Sequence, residues 1–295
     1  MIVLVDASVY VFRAYYSLPP DMRDGDGNPV HAVYGFARFL SDLVEQSRPQ
    51  YVAVAFDASL ATSFRNRIYP AYKANREPAP PDLLLQFERC REFCDHLGVA
   101  WFDSPEYEAD DIIGTLAQRM RGHGLRSTLV TRDKDLAQLI TPGDVYWDYA
   151  GNARYHHGDI EERFGVQPAR YADYLALTGD AVDNIPGVPG VGPKTATALM
   201  RHFDSLEALY DGLDAVADLP LRGASQLGAK LAKHRDAAFL ARELTRIHCS
   251  IPIDATRESL QRRSPDLAGF ESFCDRQGFG NLLRRQATRL TVSGT

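Results

Sequence analysis

Three short strand-like runs, each leading into an aspartate, constrain this chain more than any other feature. They are Met1–Val5 ending in Asp6, Tyr51–Phe56 ending in Asp57, and Ser127–Thr131 leading into Arg132-Asp133-Lys134-Asp135. The first two are short and continuously apolar, as suits strands buried on both faces. Helical patterns separate them: one over 9–17, a second through Val33, Phe36, Leu40, Leu43 and Val44, and a third through Leu83, Phe87, Cys90, Cys94 and Leu97. A further strand is expected over 99–102. Strands alternating with helices predict an α/β fold with a mostly parallel central sheet and helices on both faces. In such sheets, sites form beyond the carboxyl ends of the strands, where Asp6, Asp57 and Asp133 are expected. One aspartate there is ordinary helix capping. Three converging on one edge are not explained by capping.

The stretch Tyr107-Glu108-Ala109-Asp110-Asp111-Ile112-Ile113 adds three carboxylates just before a helix whose apolar face is Ile112, Leu116 and Met120. Glu108 and Asp111 are three apart and are expected to share a helical face, with Asp110 pointing elsewhere. A helix dipole accounts for one acid at this position but not for three that repel one another. A hard cation held through oxygen ligands relieves such repulsion. With Asp135, and with Asp180 and Asp183 from the second half, the acids number nine: Asp6, Asp57, Glu108, Asp110, Asp111, Asp133, Asp135, Asp180 and Asp183. The histidines are scattered and no nucleophilic triad accompanies the acids. An all-oxygen donor set suits Mg²⁺ or Mn²⁺ and not Zn²⁺. Two such ions roughly 4 Å apart activate a water and stabilise the leaving oxygen in phosphodiester hydrolysis.

The remaining chain narrows the class. Its 295 residues give room for one large domain or two. No apolar run is long enough to span a membrane. The N-terminus carries no basic leader and reads as a strand, not a signal peptide. Four cysteines, with Cys90 and Cys94 on an apolar stripe as core thiols, suit a reducing cytosol. The net charge of −6 argues at first sight against a nucleic-acid partner. The nine acids outweigh it, however, so the rest of the chain is net basic.

Two segments suit nucleic acid. Between 63 and 76, Arg65, Arg67, Lys73 and Arg76 alternate with Phe64, Tyr69 and Tyr72, the mixture of cations and rings that fits a single strand. After about residue 165 the pattern becomes helical. A helix over Tyr171–Thr178 precedes Pro186-Gly187-Val188-Pro189-Gly190-Val191-Gly192-Pro193-Lys194-Thr195, which opens another helix through about His202. Glycines at the turn, a proline at the first helical position and Lys194 beside open amides make a phosphate site. The spacing of a P-loop is absent. No internal repeat or low-complexity tract is present, and Thr291–Thr295 is expected to be disordered.

Taken together, the motifs resemble those of the 5′-nuclease (flap endonuclease) family, in particular the nuclease domain of bacterial DNA polymerase I and its stand-alone relatives. They are LVDAS at 4–8, AVYGFA at 32–37, FDA at 56–58, SFR at 63–65, YKANR at 72–76, YEADD at 107–111, DKDL at 133–136, LTGD-x-x-DN at 177–184 and PGVPGVGPKTA at 186–196. The resemblance runs from Val3 to about Arg285. It implies a PIN-like or resolvase-like core over 1–165 with a helical arch at about 63–97. Residues 166–295 would form a helical DNA-binding region with a helix-hairpin-helix-like module at about 171–203. The implied activity is divalent-metal-dependent 5′-3′ exonuclease and flap endonuclease cleavage of DNA, as in replication and repair. By this resemblance Asp6, Asp57, Glu108, Asp110 and Asp111 surround one metal, and Asp133, Asp135, Asp180 and Asp183 serve a second. Lys73 and Arg76, assisted by Arg65 and with Tyr72 beside them, steer the scissile phosphate. Gly187, Gly190, Gly192, Lys194 and Thr195 grip duplex backbone at a turn that in relatives also holds K⁺. Some short relatives lack second-site aspartates; this chain has them all. No polymerase sequence follows, so synthesis is not expected of the chain, although a DNA polymerase is an implied partner. A monomer acting in the cytoplasm, at a bacterial nucleoid, is expected. The alternatives are a PIN-type ribonuclease and a non-catalytic DNA-binding module.

Overall fold

The computed structural model describes residues 1–58 and 62–291; most of the tail expected to be disordered, 292–295, lies outside the described residues. The strands are β1 (Ile2–Asp6), β2 (Tyr51–Ala55), β3 (Ala100–Phe102), β4 (Ser127–Val130), β5 (Val145–Asp148) and β6 (Ala153–His156). They form one sheet in the order β3-β2-β1-β4-β5-β6, parallel except for the β5–β6 hairpin. Helices of the first half are α1 (Ala7–Ser17), α2 (His31–Ser47), α3 (Phe64–Ile68), α4 (Pro81–Leu97), α5 (Ala109–Gly122) and α6 (His157–Phe164). The second half adds α7 (Tyr171–Thr178), α8 (Pro193–His202), α9 (Leu206–Asp211), α10 (Ala224–Lys233), α11 (Arg235–Thr245), α12 (Leu267–Arg276) and α13 (Asn281–Arg289), with a small ladder of β7 (Gly179–Asp180) and β8 (Ile185–Pro186).

Strand periodicity of two explains the layers. Val3 and Val5 face a core shared with α1, α2 and α4, while Ile2 and Leu4 face another shared with α5. Both faces are covered, as the unbroken apolar runs require. α4 shows the helical counterpart. Leu83, Phe87, Cys90, Phe93, Cys94 and Leu97 are all buried, each large side chain contributing about 1.5–3 kcal/mol on removal from water. Pro81 starts it, and Gly98 (φ +76) ends it in the left-handed region where a Cβ would stand 2.5 Å from the Arg263 carbonyl oxygen. α4 therefore belongs to the core. Of the span 63–97 expected to arch over the site, Arg65, Tyr72, Lys73 and Arg76 line the acidic cleft, and Leu84, Phe87, Glu88 and Arg91 of α4 line the opening beside it.

The second half has its own core, from Val166 through Leu244, joining α7, α8, α9, α10 and α11. The chain then returns. Arg262, Arg263 and Asp266 amides donate to the carbonyls of Gln50, Gly98 and His96 at 2.9 Å each. Phe270, Phe273, Cys274, Leu283 and Ala287 from α12 and α13 pack into the first core. The last stretch of the helical region expected over 166–295 is helical but packs on the first core. The amphipathic faces of α12 and α13 are completed by α4 and α2, a long-range match that helical periodicity does not encode. Among the described residues no helix is long and apolar enough to cross a membrane.

Candidate metal and nuclease site

The sheet register places the aspartates. Asp6 ends β1 opposite Ala55, and Asp57 lies two residues further along the neighbouring chain. Val130 of β4 pairs with Val5, so Asp133 follows on the other side. Small side chains hold these acids in place. Thr131 Oγ1 donates to Asp6 Oδ2 (2.9 Å) and accepts from the Asp133 amide (2.9 Å). Ser8 Oγ donates to Asp57 Oδ2 (2.7 Å), whose Oδ1 accepts from the Ala109 amide at the start of α5 (2.9 Å). Ser8 and Thr131 lie inside motifs counted for their aspartates, and nothing in the sequence marks their hydroxyls.

These residues surround a cavity of about 190 Å³ lined by Asp6, Asp57, Glu108, Asp110, Asp133, Asp135 and Asp183, with Lys73 and Arg76. Seven of the nine predicted acids are thus brought together. Asp180 sits just behind them, its Oδ2 taken by Lys134 Nζ at 2.8 Å. Asp111 is not brought in. It is fully buried and accepts two hydrogen bonds from Arg65, at 2.6 and 2.9 Å, and others from the amides of Glu108 (3.1 Å) and His248 (2.8 Å). The expectation that Asp110 points away is corrected: Asp110 lines the cavity. Glu108 and Asp111 do meet, as the extended N-cap (φ −83°, ψ 165°) and third helical residue of a capping box on α5, with Arg65 Nη1 2.6 Å from Asp111 and 3.7 Å from Glu108.

Crowding shows in the proton affinities. Burial, then repulsion by Asp57 and Asp133, pushes the Asp6 carboxyl up to about 7. Burial and the neighbouring acids, Asp133 first, hold Asp110 well above the usual carboxylate range, and burial with Asp133 does the same to Asp135. Asp180 goes the other way. Burial opposes its charge, but the hydrogen bond and charge of Lys134 and the Val182 and Asp183 amides bring it below the usual value.

The basic and aromatic segment turns inward. Lys73 Nζ lies 2.9 Å from Glu108 Oε2 and 3.8 Å from Asp183 Oδ2. The Tyr72 hydroxyl stands 3.0 and 3.2 Å from the same two oxygens. Arg76 pairs with Asp183. Burial works against the Lys73 charge, yet Glu108, Asp183 and Asp57 raise its proton affinity. Arg65 and Tyr72, expected to face DNA, border the same cavity but are only 2% and 3% exposed. Buried carboxylates hold them more firmly than a solvated strand would, because a charged partner in low dielectric is the stronger one.

Among the described residues no three His, Cys, Asp or Glu side chains are already gathered into a metal cage. The donor chemistry nonetheless fits hard divalent ions. The donors are carboxylates, they repel one another, and an ion that keeps several of its waters needs a roomy acidic cavity more than a closed cage.

The glycine segment is anchored to the second core by Val188 and Val191. Gly187 is fixed by packing: a Cβ there would stand 2.3 Å from the Thr178 carbonyl carbon. Gly190 takes φ +78, and a Cβ on it would stand 2.8 Å from Lys230 Nζ, a cation of α10 that no sequence motif signals. Gly192 begins α8 without a side-chain cap, and Pro193 and Lys194 are exposed, with Thr195 half-buried.

Known proteins share this architecture. Residues 1–165 match the family model for the 5′-3′ exonuclease N-terminal resolvase-like domain, and 166–268 match that for the 5′-3′ exonuclease C-terminal SAM fold. The chain is 40% identical to DNA polymerase I of Pseudomonas aeruginosa over 265 residues, 90% of this chain and 29% of that protein. It is 38% identical to the thermostable DNA polymerase I of Thermus filiformis over 282 residues, covering 96% of this chain and 32% of the relative. The chain thus spans about a third of the length of those polymerases. A 5′-3′ exonuclease of Aquifex aeolicus is 34% identical over 264 residues, 90% of this chain and 87% of the relative. Among solved structures, T5 5′-exonuclease with bound zinc superposes with a TM-score of 0.67 at 19% identity, over 98% of this chain and 97% of that one. Human GEN1 in complex with Holliday junction DNA gives 0.63 at 15%, over 98% and 71%. With both family models matched in order across 1–268, the chain belongs to the 5′-3′ exonuclease family.

Proposed function

We propose that this protein is a structure-selective 5′ nuclease that hydrolyses DNA phosphodiesters at duplex junctions and 5′ flaps with two divalent ions, Mg²⁺ or Mn²⁺. The observation that carries this reading is the meeting, at one cavity, of acids from the ends of β1, β2 and β4, from the start of α5 and from the loop after β7. Asp6, Asp57, Glu108 and Asp110 are the residues to hold one ion, and Asp133, Asp135, Asp180 and Asp183 those for the other, several through water. Such ions supply an activated water and neutralise charge on the leaving oxygen. Asp111 is assigned to the ion pair with Arg65.

The chain's own residues do the rest. Lys73 and Arg76, at the cavity wall, orient the scissile phosphate and balance the charge it develops. Tyr72 keeps Glu108 and Asp183 in register through its hydroxyl. The open amides of α8, with Lys194 and Lys230, hold duplex backbone without reading sequence. A K⁺ at the Gly187–Gly192 turn, action as a monomer and association with a DNA polymerase belong to the same reading. The polymerase relatives, about a third of whose length this chain matches, support the last of these.

The test is product mapping on labelled 5′-flap, nicked and blunt duplexes with Mg²⁺, using wild type and Asp110→Asn, on all-DNA and all-RNA flaps. Cleavage near the junction of DNA flaps, lost in the variant, is expected. Cleavage of RNA flaps alone favours the ribonuclease reading, and Mg²⁺-independent binding without cleavage favours a DNA-binding module.

A further inference from the structure

The segment carrying Lys73 does not hang freely over the cleft; it is stitched to the loop that carries Asp183. The Lys73 amide donates to the Asp183 carbonyl (2.9 Å), Asn184 Nδ2 donates to the Ala71 carbonyl (2.7 Å), and Asn75 Nδ2 donates to the Ala181 carbonyl (3.2 Å). Lys73 (φ +53) and Asn184 (φ +57), one on each side of this seam, both lie in the left-handed region. Asparagine tolerates that region; lysine does so only where its surroundings over-determine it. In this conformation Lys73 offers its amide to Asp183 and its ammonium to Glu108 at the same time. Asn184 and Asn75 are themselves exposed, so they bury little, and their visible contribution is to hold the seam.

We propose that Asn184, with Asn75 as a second stitch, is a positioning residue for the nuclease reaction. It ties the loop bearing Asp183 to the segment bearing Tyr72, Lys73 and Arg76, and thereby sets the Lys73 ammonium at the wall of the acidic cavity. This rests on the nuclease reading above and adds to it residues that touch neither metal nor substrate. Because the same loop runs directly into Ile185–Gly192, the stitch also fixes Lys73 relative to the module assigned to duplex backbone.

The test uses the full chain with Asn184→Gly, which keeps the left-handed backbone and removes the donor, and Asn184→Asp, which keeps the size and removes the donor. Amide exchange of Lys73 is measured without DNA or metal, and kcat and KM are measured on a 5′-flap duplex with Mg²⁺. Lys73 protection is expected to fall about tenfold or more. kcat should fall about 10- to 100-fold as the ammonium loses its place, while KM stays within about twofold, since no uniform binding contact is removed. In a Lys73→Ala background, Asn184→Gly should lower kcat no further, because its effect passes through that side chain. Unchanged exchange and kcat, a loss confined to KM, or a full additional loss in the Lys73→Ala background overturns the proposal. If Asn184→Gly fails to fold, Asn75→Ala carries the same three readouts. Wild type without metal-dependent cleavage overturns the nuclease reading and this proposal with it, whereas active wild type with an indifferent Asn184→Gly overturns this proposal alone.

Discussion

Arg65 and Asp111 form a two-pronged ion pair, 2.6 and 2.9 Å, with neither side chain reaching solvent. Arg65 also donates to the carbonyls of Leu244 (2.8 Å) and Arg246 (3.0 Å), so the pair pins α3, α5 and the end of α11 together. Removing one partner leaves a buried charge uncompensated, a loss of about 3–5 kcal/mol. Arg65→Ala and Asp111→Ala should therefore lower the unfolding free energy by that amount, read as a lower urea midpoint at an unchanged slope. Asp111→Asn should lose stability as well as cleavage. Full stability with abolished cleavage in Asp111→Asn would instead return Asp111 to the metal site.

Asp110 carries the opposite sign. Its carboxyl is raised because the folded protein resists charging it, as it resists charging Asp6, whose value is about 7. An acid raised on folding costs nothing below its unfolded value near 3.8 and costs progressively more as pH climbs toward the folded value. The protein without divalent ions should thus lose stability between about pH 4 and pH 7, by on the order of a few kcal/mol for the cluster. Mg²⁺ should reverse the loss at pH 7.5, because binding to the folded state alone stabilises it. Asp110→Asn should raise the Mg²⁺-free melting temperature, by roughly 2–4 °C for each kcal/mol relieved, while cleavage collapses. Calorimetric scans at pH 5 and 7.5, with and without Mg²⁺, check both signs.

The sheet and the meeting of its acids were legible because each rests on a local rule. Val3/Val5 and Ile2/Leu4 alternate, and strand ends collect aspartates on one edge. The errors came from contacts that local rules do not contain. Helical spacing does relate Glu108 to Asp111, as N-cap and third residue of α5, but it turns Asp110 away from a cavity that Asp110 in fact lines while Asp111 is held behind by Arg65. Charge alternation offered Arg65 and Tyr72 to DNA, but Asp111 and Glu108, 46 and 36 residues away, claimed them first. Nothing in the sequence marks Lys134, between two of the acids, as a partner of Asp180, yet its ammonium lies 2.8 Å from that carboxylate and helps bring it below the usual range. The return of α12 and α13 onto α4 and α2 joins segments about 200 residues apart and left no trace in either sequence.

Asp144 offers a stability test remote from the cleft. It is 1% exposed, and it accepts from the Ser127 amide (2.8 Å), the Thr141 amide (3.0 Å), Thr141 Oγ1 (2.6 Å) and Arg121 (2.9 Å). Burial opposes its charge, but those donors hold its carboxyl below the usual range. A lowered carboxylate contributes stability above its unfolded value, and that contribution is lost as pH falls through the folded one. Asp144→Asn should destabilise at pH 7 by about 1–3 kcal/mol, and the gap between variant and wild type should narrow as pH drops below about 4. Urea titrations at pH 7 and 3.5 measure it.

Two glycines five residues apart separate architecture from duplex binding. A methyl on Gly187 would meet the Thr178 backbone at 2.3 Å, and backbone cannot step aside cheaply; on Gly192 (φ −90) it would meet nothing within 4 Å. Gly187→Ala should lower stability by about 2 kcal/mol or more, visible without DNA. Gly192→Ala should fold normally, so any loss of duplex affinity in it reports on the approach of phosphate to the first amides of α8. Lys194→Ala and Lys230→Ala should each weaken duplex binding evenly across sequences and reduce the slope of log K against log salt by about 1. Binding isotherms between 50 and 200 mM salt, about the range over which backbone-led affinity falls steeply, decide it. A slope unaltered in both lysine variants removes this face of α8 and α10 from the DNA contact.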